Sequence, residues 1–495
     1  MVLLFLFSIL SYLVVRHSVA GITRTPPWLL WLVFMAPVFT LVVWSTQQAT
    51  SGAPPTSPPG AILALFILCP LLYWMLIQWG RITPKPETAA TESSADATDA
   101  AKVSASKVAL RPIDKEEEAT LKNCFPWSLF YLQNIEYRPQ ALICKGQLRG
   151  YPTLAYDTIR DNIESHFGDR FLVIFQEGNK GKPFFALVPN PRSQKQPLKA
   201  LVNLKNTRPA VALGLFVTTL FTTTWVGTSQ IAGISESALQ AEPMLFLRGL
   251  PYAITLMVIL GIHELGHYLM ARRYRIQSTL PYFIPIPFFL GTFGAFIQLR
   301  SPVPNRRALF DVGLAGPLAG FIITLPLLVW GLAHSEVIAL GEEASMLNFQ
   351  AMDPSASVAL TLLSKLALGS RLTAENAIAL HPVAVAGCLG LVVTALNLMP
   401  VGQLDGGHIV HAMYGQKTGA IVGHVSRFLV LGLVAVHPEL LIWAILLFFI
   451  SAVDEPALND VSQLDTRRDL WGLAALTILI LIVLPAPSVL TTLLL

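Results

Sequence analysis

The sequence predicts a polytopic α-helical membrane protein with a small soluble α+β domain and a short membrane-associated strand or re-entrant region. Three observations predict it. Of 495 residues, 53% are hydrophobic and only 13% charged, a balance far from that of an ordinary water-soluble domain. Several apolar runs approach the ~20 residues that a helix needs to cross a bilayer. One long stretch between such runs, 110–192, instead mixes charged, apolar and turn residues in the manner of a folded extramembrane domain. The net charge of +4 decides little, because in a membrane protein the placement of Lys and Arg matters more than their sum.

Taken in order, the apolar spans fall near 2–15, 28–45, 61–79, 208–226, 248–270, 309–333, 382–399, 419–436, 439–453 and 470–492. The first is apolar from Val2 to Val15, and its positive charge follows at Arg16 and Arg24 instead of preceding it. That order argues for a retained first span over a signal peptide, although "SVAG" (18–21) has the small residues of a cleavage site. No Ser/Arg-rich transit peptide is read ahead of it. The span at 419–436 holds His424 and Arg427 and reads as tilted or interfacial. "PETAATESSADATDAAKVSAS" (86–106) has no periodicity and reads as a flexible linker. In the domain that follows, Ile159, Ile163 and Phe167 sit at helical spacing. "RFLVIFQ" (170–176) and "PFFALVP" (183–189) read as a strand pair bounded by Gly, Asn and Pro. A polar piece at 334–381 reads as an amphipathic cap. The expected organisation is therefore three spans in 1–81, a linker in 82–109, an α+β domain in 110–200, an intramembrane core in 201–455, and a loop with the last span in 456–495.

Loop charges set the orientation. "STQQATSGAPPTSPPG" (45–60) is uncharged, and 227–245 has Glu236 and Glu242 but no Lys or Arg. Arg81 and Lys85, "ARRYR" (271–275), and Arg467 with Arg468 mark the opposite side. By the positive-inside rule, residues 82–200 face the cytoplasm, and so does the end of the span that follows His267. The four cysteines, Cys69, Cys124, Cys144 and Cys388, form no C-x-x-C pair, which indicates neither a disulfide framework nor a Cys-based zinc site.

Ionisable groups inside an apolar span demand an explanation. "LMVILGIHELGHYLM" (256–270) contains three: His263, Glu264 and His267. Positions i and i+4 project from one helix face, so the two imidazoles can bind one Zn²⁺, and the glutamate beside the first can take a proton from a metal-bound water. A bound ion would also offset the several kcal/mol that burying these groups unpartnered costs. A catalytic zinc site usually has three protein ligands and one open position. The third is sought in "NLMPVGQLDGGHIVHAMYG" (397–415), where Pro400 and Gly402 break the helix. Asp405 offers a carboxylate oxygen, with His408 and His411 as rivals on the same segment.

The H-E-x-x-H within a span, followed much later by Asn397, Pro400 and Asp405-Gly406-Gly407, resembles the site-2 protease family of intramembrane zinc metalloproteases (M50-like). The resemblance covers roughly 110–453. It implies His263, His267 and Asp405 as zinc ligands, Glu264 as general base, and Asn397 near the bound substrate. "GQLRG" (146–150) and "PYFIPIPFFLGTFGAFIQLRSPVPNRRALFDVGLAGPLAG" (281–320) are similar to the plastid and cyanobacterial branch, the ethylene-dependent gravitropism-deficient yellow-green proteins. That branch tends to have G-N-L-R-G, and here Gln147 stands where the Asn would be. No PDZ-like insert is present.

Within 276–302, Pro281, Pro285, Pro287, Gly291 and Gly294 rule out a simple helix. "GAFIQLR" (294–300) alternates and fits a strand, whose open edge would take an extended substrate by backbone hydrogen bonds. Gly294, Ala295 and Phe296 are accordingly expected to bind substrate. Gly313, Gly316 and Gly320 read as a helix-packing face. The reading that results is an intramembrane protease with one Zn²⁺, acting on transmembrane protein substrates, in contact with membrane lipid and not with nucleic acid. The resemblance points to a bacterial (cyanobacterium-like) plasma or thylakoid membrane, with the active site open to the cytoplasm. A zinc transporter or metal-binding membrane protein using the same ligands is the alternative, and a scaffold that has lost catalysis is a third class.

Overall fold

The computed structural model describes residues 25–51, 113–138, 141–178, 181–190, 209–286, 290–339, 350–373, 375–434 and 441–494, with isolated positions in 12–16 and 68–80. The expected linker at 82–109 lies outside the described residues, as does nearly all of the expected span at 2–15. The chain forms two units, 1–98 and 99–495. In the first, helix Pro27–Ser51 covers the expected second span, and the Thr25 hydroxyl donates to the Leu76 carbonyl at 2.8 Å.

The second unit begins with the α+β domain. Helix Lys115–Asn123 starts at a reciprocal cap: Asp114 accepts from the Glu117 amide, and the Glu117 side chain accepts from the Asp114 amide. Helix Pro152–Phe167 begins with a proline at its first turn and buries Ile159 and Ile163, as their spacing predicts. Strands β1 (Phe130–Arg138), β2 (Ala141–Leu148), β3 (Phe171–Glu177) and β4 (Pro183–Pro189) form one antiparallel sheet in the order β1-β2-β4-β3. The pair β3–β4 is the expected one. The preceding pair β1–β2 was not anticipated, because charged and polar residues on its exposed face (Gln133, Glu136, Lys145) weaken the apolar signal. Phe130, Phe175 and Phe185 fill the core, the last two stacked at 4.2 Å between centroids.

Beyond this domain the unit is mostly helical. Among the described residues, three helical stretches are long and apolar enough to cross a membrane: Pro209–Ile231, Pro243–Arg273 and Arg306–Ala333. Helix Pro382–Leu398 is apolar but shorter. The helices approach closely through small residues. Gly266 lies where a Cβ would meet the Ala315 carbonyl oxygen at 2.4 Å, and Gly331 where one would meet the Ala384 amide nitrogen at 2.4 Å. In the expected interfacial segment, helix Gln416–Leu433 buries Arg427, whose guanidinium donates to the Ile450 carbonyl just past helix Leu441–Phe449. The run 470–492 is not one helix: Thr466–Val483 ends before Pro485 and Pro487, and a short helix, Ser488–Leu494, follows. The described part of 334–381 holds an antiparallel pair of β7 (Glu336–Ala339) with β8 (Asn376–Ala379), and helix Val358–Leu368 between them.

The strand expected at 294–300 is shifted. β5 (Tyr282–Pro285) pairs with β6 (Thr292–Phe296), and Leu299 makes only an isolated bridge to Ser278. The partner's length sets the boundary, which alternation within one strand does not reveal. Among the described residues β6 pairs on one side only, so its other edge is free.

Candidate metal centre

Helix Leu250–Arg273 buries His263, Glu264 and His267 among apolar neighbours. Because the two histidines are one turn apart, their Nε2 atoms converge to 3.1 Å. Asp405 is the first residue of helix Asp405–Tyr414. The chain reaches it through a tight turn in which Gly402 has φ +47° and leaves no room for a side chain against the Ser451 carbonyl. That turn carries Asp405 Oδ2 to 3.2 Å from His267 Nε2 and 3.6 Å from His263 Nε2. Asn397, at the end of helix Pro382–Leu398, places Nδ2 3.2 Å from His263 Nε2.

The donor set fits a cation. His267 Nδ1 lies 2.8 Å from the Val312 carbonyl oxygen, which can only accept, so Nδ1 donates and Nε2 is the ring atom left to coordinate an ion. Nε2 faces the Asp405 carboxylate oxygen and the second imidazole nitrogen, a place where a shared cation would be held. Two imidazoles and one carboxylate are the donor types of a three-ligand catalytic zinc site. Among the described residues these three are the one group of His, Cys, Asp and Glu close enough to hold an ion.

The group opens onto a cavity of about 580 Å³, lined by Glu264, Ala295, Phe296, Asn397, His408 and Asp454 among others. Ala295 and Phe296, two of the three residues expected to bind substrate, thus line the same cavity as the converging donors. Gly294 does not line the cavity; its φ of +106° bends β6 instead. Two of the three glycines read only as packing residues do more than that. A Cβ on Gly316 would lie 2.0 Å from His267 Nε2, and one on Gly320 would lie 3.1 Å from His263 Nδ1. They clear the space that the two rings occupy. Their spacing on the helix after H-E-x-x-H is the signal that could have found them.

The rival ligands point elsewhere. His408 Nδ1 is 2.9 Å from Asp454 Oδ2; His411 Nδ1 is 2.7 Å from the same oxygen, and His411 Nε2 is 3.0 Å from Asp460 Oδ1. Carboxylate oxygens accept, so both His411 nitrogens donate and the ring is cationic. Burial disfavours that charge, but the bonds to Asp454 and then Asp460 outweigh it and push the pKa up to about 9. A raised folded-state pKa stabilises fully below the unfolded value of about 6.5, and the contribution is lost as pH rises through about 9. The gap amounts to roughly 3 kcal/mol. The unfolding midpoint in detergent is expected to fall between about pH 7 and 9.5, and the fall to shrink in His411→Gln. An unchanged profile in the variant would assign the loss to other groups.

With this geometry in place, comparison with known proteins gives a consistent result. Residues 251–434 match peptidase family M50, the stretch that contains His263, Glu264, His267 and Asp405. The core of this chain is thus similar to peptidase family M50. Residues 119–197, the α+β domain, match the EGY3 middle domain. The chain is 30% identical over 374 residues to the probable zinc metalloprotease EGY2, chloroplastic, of Arabidopsis thaliana, covering 74% of this chain and 64% of that protein. It is 36% identical over 243 residues to the probable zinc metalloprotease EGY1, chloroplastic, of the same plant, covering 48% and 43%. The EGY3 protein of Oryza sativa subsp. japonica is 28% identical over 249 residues, covering 48% and 42%. The chain thus spans a little under two thirds of the length of the first of these relatives. The expectation of a bacterial plasma or thylakoid membrane is corrected by these matches, since the relatives are chloroplastic plant proteins and point to a plastid membrane. Loop charge reports a side of a membrane and not which membrane it is.

Proposed function

We propose that the chain is an intramembrane zinc metalloprotease that cleaves transmembrane segments of protein substrates, with His263, His267 and Asp405 as zinc ligands and Glu264 as general base. The observation that carries this is the convergence of two imidazoles and a carboxylate within an apolar helical core, beside a buried glutamate that is not one of the three. Zinc bound there would supply a Lewis acid that polarises the scissile carbonyl and eases ionisation of water. Glu264 takes the proton from the attacking water and returns it to the leaving amine. Asn397 orients groups beside His263. The free edge of β6 receives the substrate in extended form, which a transmembrane helix must adopt before its backbone can be cut. The transporter reading is less well supported: transport has no use for Glu264 beside His263, and one donor group among the described residues makes no path.

In the same reading the protein is multi-pass, with the apolar runs from 28–45 to 470–492 crossing or lining the bilayer and lipid around them. The α+β domain occupies about 110–200 and the protease core about 201–455. Membrane fragments from cells with the intact protein, compared by proteomics with fragments from Glu264→Gln cells, test the activity and name the substrate. No difference between the two would overturn it.

Strand addition has its own test. Along β6 successive N–H groups alternate between the β5 side and the free edge. Of Ala295→Pro and Phe296→Pro, the one that removes a free-edge donor is expected to cut cleavage at least about tenfold with zinc retained. If both variants cleave normally, substrate does not add to this strand.

A further inference from the structure

Residues 454–460 join the two parts of the second unit. On one edge, Leu458 N–H donates to the Val303 carbonyl at 2.9 Å and Asn459 N–H to the Pro304 carbonyl at 3.0 Å. On the other, the Phe175 amide of β3 donates to the Leu458 carbonyl at 2.7 Å, and Asp460 N–H donates to the Phe175 carbonyl at 2.9 Å. Leu458 and Val461 pack against the core of the α+β domain. The segment therefore bridges β3 to the stretch before helix Arg306–Ala333 at Asn459, outside the four strands of the sheet, and, through Val303 and Asp454, forms part of the wall of the cavity.

Its two ends are held by one buried side chain. His411 is 1% exposed and clips Asp454 with one ring nitrogen and Asp460 with the other. His408, which lines the cavity, shares Asp454, and Arg306 Nε donates to Asp460 at 3.0 Å. The junction is not filled. A cleft of about 860 Å³ lies against it, lined by Gln147 of the GQLRG stretch, Tyr151, Lys182, Arg306 and Tyr414 among others.

We propose that residues 454–460 couple the α+β domain to the catalytic cavity, with His411 as the positioning residue that holds the segment in register between them. A shift of the domain would be transmitted through Phe175 to Leu458 and on to Val303 and Asp454 in the cavity wall. This rests on the cavity being the proteolytic one, but the main readout below does not.

The test uses the full-length zinc-loaded chain in detergent, with Leu458→Ala, Leu458→Ile and His411→Gln. Leu458 is not among the cavity-lining residues, so an effect of its truncation on the wall has to pass through its backbone bond to Val303 or along the segment to Asp454. Hydrogen exchange at 300–305 and 454–460 is expected to quicken at least about fivefold in Leu458→Ala and in His411→Gln. Exchange at 259–268 and zinc content stay as in the wild type, and Leu458→Ile restores the wild-type rate. A labelled single-span peptide should show KM rising more than kcat falls. Wild-type exchange at 300–305 in Leu458→Ala overturns the coupling. Loss of zinc together with general loss of protection in both Leu458→Ala and His411→Gln overturns it as well, because the residues would then be merely structural. If the wild type cleaves no peptide, the proteolytic reading fails and the exchange result still decides the coupling.

Discussion

Glu264→Gln is expected to lower cleavage by about a thousandfold while zinc stays at one per chain, because general acid–base groups contribute roughly 10²–10⁴. Glu264 sits beside His263 on the same helix, is 7% exposed and lines the cavity, yet it is not one of the three converging donors. Glutamine keeps the size and shape and removes only the capacity to take and return a proton. The side-chain contacts that orient the ligands, Val312 to His267 and Asn397 to His263, do not involve Glu264. Cleavage of a single-span substrate is measured alongside zinc content by mass spectrometry. Persisting cleavage would remove Glu264 from the mechanism. Loss of zinc along with cleavage would make it a ligand.

Gly316→Ala should have an effect of similar size by a different route. The new methyl group would lie 2.0 Å from His267 Nε2 and within 2.5 Å of both adjoining ring carbons. The helices cannot move apart to admit it cheaply, since Gly266 and the Ala315 carbonyl are already in close contact across the same crossing. The ring must rotate, which breaks the 2.8 Å contact of Nδ1 with Val312 and turns Nε2 away from Asp405. Losing an orienting contact typically costs 10–100-fold in metal affinity. Displacing the ligand atom itself should cost at least about a hundredfold, read by competition with a chelator of known affinity. Gly320→Ala is the graded control. Its methyl group would meet His263 at 3.1–3.2 Å, which a small shift absorbs, and a loss within about tenfold is expected. Wild-type affinity in Gly316→Ala would show that the ring has room the structure does not give it.

Local geometry explains what was legible in the residues. H-E-x-x-H within an apolar run places two imidazoles one turn apart whatever surrounds them, and the break at Pro400 and Gly402 before Asp405 marks irregular backbone at the depth of a ligand. The pair β3–β4 and helix Pro152–Phe167 follow from periodicity within single segments. The residues favour Asp405 over His408 and His411 but do not show where those histidines turn: Asp454 binds both, Asp460 also binds His411, and these carboxylates lie in a loop with no repeating pattern.

The sequence by itself determined the membrane character, the paired histidines with their glutamate, and the segment that carries Asp405. Each depends on contacts within a few residues of chain. Tertiary structure alone decided that Gly316 and Gly320 make room for the two histidine rings, where β6 begins and ends, and that residues 454–460 bridge to β3 of the α+β domain. Those features depend on the relative placement of segments far apart in the chain, set by close packing between helices and by hydrogen bonding between strands. Neither leaves a periodic trace in one segment.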